Sequence, residues 1–145
     1  LVALAASAAQ PAIAQEPVTD IGPLVTGDEL PVPLADGPAD AGRGRAIVTD
    51  PLRGNCTICH VVPGNGERFH GDVGPSLAGV GARYSIAQIR LRVADGRRLN
   101  PASIMPAYYR ATDRLNRVAK RYEGRPVLTA AEVEDIVAYL ATLKD

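Results

Sequence analysis

The stretch Gly54-Asn55-Cys56-Thr57-Ile58-Cys59-His60 decides how this chain is read. It contains Cys-x-x-Cys-His, the attachment motif of c-type haem. On one helical turn Cys56 and Cys59 lie on the same face, where their thiols can form thioethers with the two vinyl groups. His60 follows at once, so its imidazole reaches the iron from the proximal side. The chain holds 2 cysteines, and this use consumes both, which fits an exported protein without a disulfide. Zinc is a poorer reading: Cys56, Cys59, His60 and His70 are the only candidates, Cys59 and His60 are adjacent, and the second ligand pair of a zinc module is absent. A redox dithiol expects a strand–helix setting that is not visible here. A disulfide across so short a separation would be strained. One covalent haem c is the expected cofactor.

An axial position opposite His60 needs a second ligand. Met105 is the only methionine and sits in Ser103-Ile104-Met105-Pro106. Its thioether is a soft, neutral ligand that favours ferrous iron and raises the potential, and Pro106 stiffens the loop that presents it. His60 and Met105 are thus the expected metal ligands. His70 is the alternative, and a gap-filling core residue is the other role open to Met105.

The pattern around these residues is helical. A short helix is expected over Ala39–Val48 behind Pro38, which suits a first helical turn. Gly42, Gly44 and Ala46 give it a thin face for close helix contact. Ser85-Ile86-Ala87-Gln88 is a capping box, with Ile86, Ile89 and Val93 on one stripe behind it and Gly96 as a stop. Leu115, Val118, Ala119 and Tyr122 make a weaker stripe over 112–122. Thr129-Ala130-Ala131-Glu132 is a second capping box, and Val133, Ile136, Val137 and Leu140 form the strongest amphipathic helix, ending near Leu143. No segment alternates with period two, so the class is all-α with long loops. Loops that long need something to wrap around. With only 4% aromatics and one Phe, a prosthetic group is a suitable filling.

The 145 residues make one domain, and 46% apolar with 22% charged residues argues against disorder throughout. No charge-free apolar run reaches the ~20 residues of a membrane span. Zero net charge gives no support to general nucleic-acid binding. The charge is uneven, however: residues 81–128 carry 11 basic and 3 acidic side chains. They either steer an acidic partner, pair with buried carboxylates or form a solvated face.

Residues 1–14 are uncharged and end in Ala12-Ile13-Ala14, a small-x-small site followed by polar Gln15-Glu16, so they read as the remnant of a secretory signal. The basic start and the initiator Met are missing, and a longer precursor is expected. A short Ala-rich helix would be interrupted by Pro11. The mature protein is expected in a bacterial periplasm. Residues 15–38, with Pro17, Pro23, Pro31, Pro33 and Pro38, have no helical or strand period. They are expected to be an extended arm on the domain or on a partner, or else a disordered leader, ahead of a domain over 39–145.

Gly74-Pro75-Ser76-Leu77, followed by Ala78-Gly79-Val80-Gly81-Ala82-Arg83, resembles the Gly-Pro-x-Leu loop of class I cytochromes c. That resemblance implies their fold and assigns the Pro75 carbonyl as acceptor for the proximal His ring N–H, which orients and strengthens the ligand. Arg83 is either a partner of a haem propionate or a surface arginine. Further strings are similar to the SoxX family: Leu-Asn-Pro-Ala-Ser-Ile at 99–104, Met-Pro-Ala-Tyr-Tyr-Arg at 105–110, and Gly-Arg-Pro-Val-Leu-Thr-Ala-Ala-Glu-Val-Glu-Asp-Ile-Val-Ala-Tyr-Leu at 124–140. The likeness spans about residues 39–143. It implies a monohaem subunit paired with a SoxA-type cytochrome, in a complex that couples thiosulfate oxidatively to a cysteine of a SoxY-type carrier. The subunit accepts the electrons and passes them to a soluble cytochrome. A free class I electron carrier is the alternative, since fold alone does not choose between them.

Overall fold

Residues 20–64, 66, 69–111 and 118–145 are described by a computed structural model of the chain. The expected signal remnant, the start of the arm and Leu115 of the weaker stripe lie outside the described residues. Four α-helices appear among the described residues: α1 Ala41–Thr49, α2 Val80–Arg83, α3 Ile86–Asp95 and α4 Ala130–Thr142. Short 3₁₀ turns link them, and β structure is confined to one isolated bridge, Thr26 to Glu29.

Local chemistry sets the helix starts. Ser85 accepts from the Gln88 amide while the Gln88 side chain returns to the Ser85 amide, and Thr129 and Glu132 do the same for α4. Helix α1 starts two residues later than the sequence predicts, because Asp40 is its N-cap and accepts from the Arg43 amide at 2.7 Å. The stripe on α3 needs a correction: Ile86 is 55% exposed. Its turn is the polar edge where Ser85 and Gln88 bond Glu29 and Asp28. The buried face of α3 is instead Ile89, Leu91, Val93 and Ala94, together with the charged Arg90 and Asp95. Helix α2 gives no sequence signal at all. It is four residues long and is held from outside, by the Leu143 carbonyl on the Gly81 amide at 2.8 Å.

Helix α4 is the hub. Val133, Ile136, Val137 and Leu140 are buried on it, as expected. Helix α1 crosses so closely that a Cβ at Gly44 would overlap the Asp135 carbonyl. Beside that crossing Asp135 accepts two hydrogen bonds from Arg43, at 2.7 and 2.9 Å, and one from the Asp40 amide at 2.7 Å. Burial alone would raise the Asp135 pKa, but the bonds from Arg43 and Asp40 outweigh it and hold it below the usual carboxylate range.

Residues 20–38 lie on the domain itself. Ile21 and Leu30 enter the core. The Leu30 amide donates to Ala87 O at 3.0 Å. A buried pair anchors the rest: Arg90 donates to both Glu134 oxygens, at 2.7 and 3.0 Å, and its remaining nitrogen donates to Leu30 O at 2.8 Å. The Leu34 amide completes Glu134 at 2.8 Å. One ion pair therefore joins α3, α4 and the arm. The basic stretch is explained in part in the same way, with Arg92 on Asp28, Arg98 on Asp20 and Asp95, and Arg110 on Asp95.

Breaking one side of a buried pair strands the other charge, at a cost of about 3–5 kcal/mol. Arg90→Met should therefore lower the unfolding free energy measured in urea by about 3–5 kcal/mol, with a lower midpoint, and Arg90→Met with Glu134→Leu should recover most of the loss. Equal midpoints for Arg90→Met and the wild type would contradict this account of the arm.

Candidate haem site

The cysteine motif hangs from the end of α1. The Gly54 amide donates to Ile47 O at 3.2 Å and the Asn55 amide to Asp50 O at 3.0 Å. Asn55 takes a left-handed conformation, φ 48°, from which the 3₁₀ turn Cys56–Ile58 departs. The Cys59 and His60 amides both return to Cys56 O, at 3.2 and 2.9 Å. In a 3₁₀ turn residues three apart eclipse, so Cys56 and Cys59 share a face. Both cysteines are half-buried. Burial, with a smaller contribution from Cys59, pushes the Cys56 thiol up to about 11.

The following loop closes against this turn. Gly71 donates to Thr57 O at 2.9 Å, Gly74 to Cys59 O at 2.7 Å and Leu77 to Val61 O at 2.9 Å. The His60 Nδ1 donates to the Pro75 carbonyl at 2.7 Å. A carbonyl can only accept, so Nδ1 carries the proton and Nε2 keeps a lone pair for a metal. Gly74 makes this possible: a Cβ there would overlap the imidazole at Cε1. Arg83 spends its guanidinium on the carbonyls of Ser76 and Ala78, bracing the same loop.

Met105 sits across the chain in an exposed loop, half-buried and packed against the core, with its amide on Ser103 Oγ at 3.2 Å. His70 stays on the motif side, where its Nδ1 meets the Val62 amide at 3.5 Å. Two residues outside the expected set matter here. Gly74 was visible only as a neighbour of Pro75. Tyr108 lay within the 105–110 string, and its hydroxyl donates to Gly54 O at 2.6 Å.

The donor set suits a covalently held haem: two thiols on one face, one imidazole with its outer nitrogen committed, and a glycine leaving room for the ring. The sequence profile of the cytochrome c family matches residues 41–144. The chain belongs to the cytochrome c family. Membership implies a covalently attached haem c, and the described fold, helical and without strands, is that of class I cytochromes c. A crystal structure of SoxXA from P. pantotrophus is similar, with a TM-score of 0.77 and 31% identity, covering 88% of this chain and 98% of that one. Cytochrome c-550 of Bacillus subtilis is 36% identical over 55 residues, which are 38% of this chain and 42% of that protein. The match thus spans less than half the length of that curated relative. Among the described residues no helix of this cytochrome is long and apolar enough to cross a membrane.

Gly74→Ala should push the His60 ring off the Pro75 carbonyl, with an overpacking cost of about 1–3 kcal/mol. The check is proton NMR of the holoprotein together with a denaturant midpoint. Loss or a large shift of the His60 Nδ1–H resonance is expected, and an unchanged resonance and midpoint would refute the close packing.

Proposed function

We propose that this chain is the electron-accepting cytochrome subunit of a periplasmic thiosulfate-oxidising complex of the SoxXA type, an L-cysteine S-thiosulfotransferase. The likeness to the SoxXA structure across 88% of the chain carries this reading. The strings at 99–110 and 124–140 support it independently. In this reading residues 1–14 serve as a secretory signal, residues 15–38 as an arm and residues 39–145 as the cytochrome domain.

When bound, the haem supplies reversible one-electron chemistry. Cys56 and Cys59 would hold it covalently. His60 would offer Nε2 to the iron, its ring fixed by the Pro75 carbonyl bond, and Met105 would offer its thioether. The Pro75 carbonyl fixes the tautomer and orientation of the His60 ring through Nδ1–H. Arg83 keeps the Ser76–Ala78 backbone in place and so keeps the Pro75 carbonyl aimed.

The chain offers no sulfur nucleophile beyond the two thiols of the motif. Conjugation of thiosulfate to a carrier cysteine therefore falls to a SoxA-type partner, with a SoxY-type carrier as substrate. This subunit accepts electrons and hands them to a soluble cytochrome. Ile58, Phe69 and Val73 beside the motif, and Ile104 beside Met105, are exposed apolar side chains suited to a docked partner.

Ferric protein should show the weak near-infrared band of methionine–sulfur ligation, and Met105→Ala should abolish it. In reconstitution with thiosulfate, reduced carrier and an electron acceptor, the isolated chain should not turn over, and the SoxA-type subunit should restore turnover. Turnover by this chain alone would overturn the division of labour. Absence of any gain with the partner would favour a free electron carrier.

A further inference from the structure

We propose that Tyr108 is a positioning residue for the Met105 side of the haem crevice, acting through its hydroxyl bond to the Gly54 carbonyl. This rests on the reading of Met105 as axial ligand given above.

The Met105 loop is held unevenly. Its leading half is exposed at Asn100, Pro101, Ala102 and Ile104. That half is held only by short-range bonds, such as the Asn100 amide on Gly96 O at 3.1 Å, and the ties to distant elements come after Met105. The Tyr109 amide donates to Ala94 O at the end of α3, at 2.9 Å, and the Leu128 amide donates to Tyr108 O, at 3.0 Å. Arg110 bonds Asp95, whose side chain is 1% exposed. These ties fasten residues 108–110 to α3 and to the approach to α4, but they do not reach the cysteine motif. The Tyr108 hydroxyl does. It is buried and donates at 2.6 Å to Gly54 O, two residues before Cys56. Gly54 is itself fixed to α1 by its amide, so the bond joins two anchored points, one after Met105 and one before the cysteine turn. One runs three residues back to Met105 and the other two residues forward to Cys56.

A buried hydroxyl with a fixed acceptor resists separation, because opening strands both polar groups. The tie should therefore limit how often the Met105 loop swings away from the cysteine side. An external ligand competes only for the open fraction, so its apparent affinity reports that fraction directly.

The test compares holoprotein of the wild type, Tyr108→Phe, Met105→Ala and Tyr84→Phe. Imidazole binding and the near-infrared sulfur band are read at one fixed neutral pH, with covalent haem content and melting temperature alongside. Tyr108→Phe keeps the ring and removes only the hydroxyl. It should retain full haem content, weaken the band and bind imidazole about tenfold more tightly, as loss of one net hydrogen bond predicts. Tyr84→Phe, whose ring lies under Arg92, should match the wild type. A lower melting temperature for Tyr108→Phe with wild-type imidazole affinity would mean a merely structural residue and would overturn the proposal. If the wild type lacks the band, or Met105→Ala keeps it, the axial-ligand reading fails first and the proposal falls with it.

Discussion

The approach of α1 to α4 at Gly44 is the constraint on which the other contacts depend. No side chain fits between Gly44 and the Asp135 carbonyl, so the two helices cross at backbone distance. At that distance Arg43 and the Asp40 amide both reach Asp135. The crossing fixes where α1 ends, and α1 ends at Ile47–Asp50, from which Gly54 and Asn55 hang. The position of the cysteine turn is therefore inherited from Gly44, well before it in the chain. On the other side of α4, Glu134 draws in Arg90 and the arm. Consecutive acidic residues on one helix thus organise opposite sides of the domain.

The parts legible in the sequence are those whose chemistry closes within a few residues. Capping boxes at Ser85 and Thr129 involve partners three positions apart, and both form. Cys-x-x-Cys-His is equally local, and the Gly44 thin face follows from helical spacing. What could not be read is what closes over long separations. The arm is held by Arg90 and Glu134, far from it in the chain, and nothing in a Pro-rich stretch announces those partners. Helix α2 depends on the Leu143 carbonyl rather than on any period of its own. Ile86 looks like a core residue by spacing, yet the polar residues of the arm claim its turn. The Tyr108 bond likewise spans from the Met105 loop back to Gly54, and no motif marks it.

Charge follows the same pattern. Arg90, Arg92, Arg98 and Arg110 are matched by carboxylates of the arm, α3 and α4. The sequence-level excess of basic residues over 81–128 is thus partly an internal matter of folding. Lys120 and Arg121 remain exposed on the 3₁₀ turn Lys120–Tyr122. They contribute a local positive field, of the kind that affects encounter rates more than affinity. A cytochrome organised in this way spends these ionic groups on joining the arm, α3, α4 and the residues after Met105, and leaves apolar side chains exposed beside the cysteine motif.

The central claim is that the walls held by these contacts enclose one haem attached through Cys56 and Cys59. Intact-mass spectrometry of the native protein, followed by peptide mapping, tests it most directly. The account predicts a chain heavier by one haem, with all of that mass on the peptide containing both cysteines and neither thiol open to alkylation. A haem-free mass with two alkylated cysteines, or a chain carrying zinc in place of haem, would contradict it.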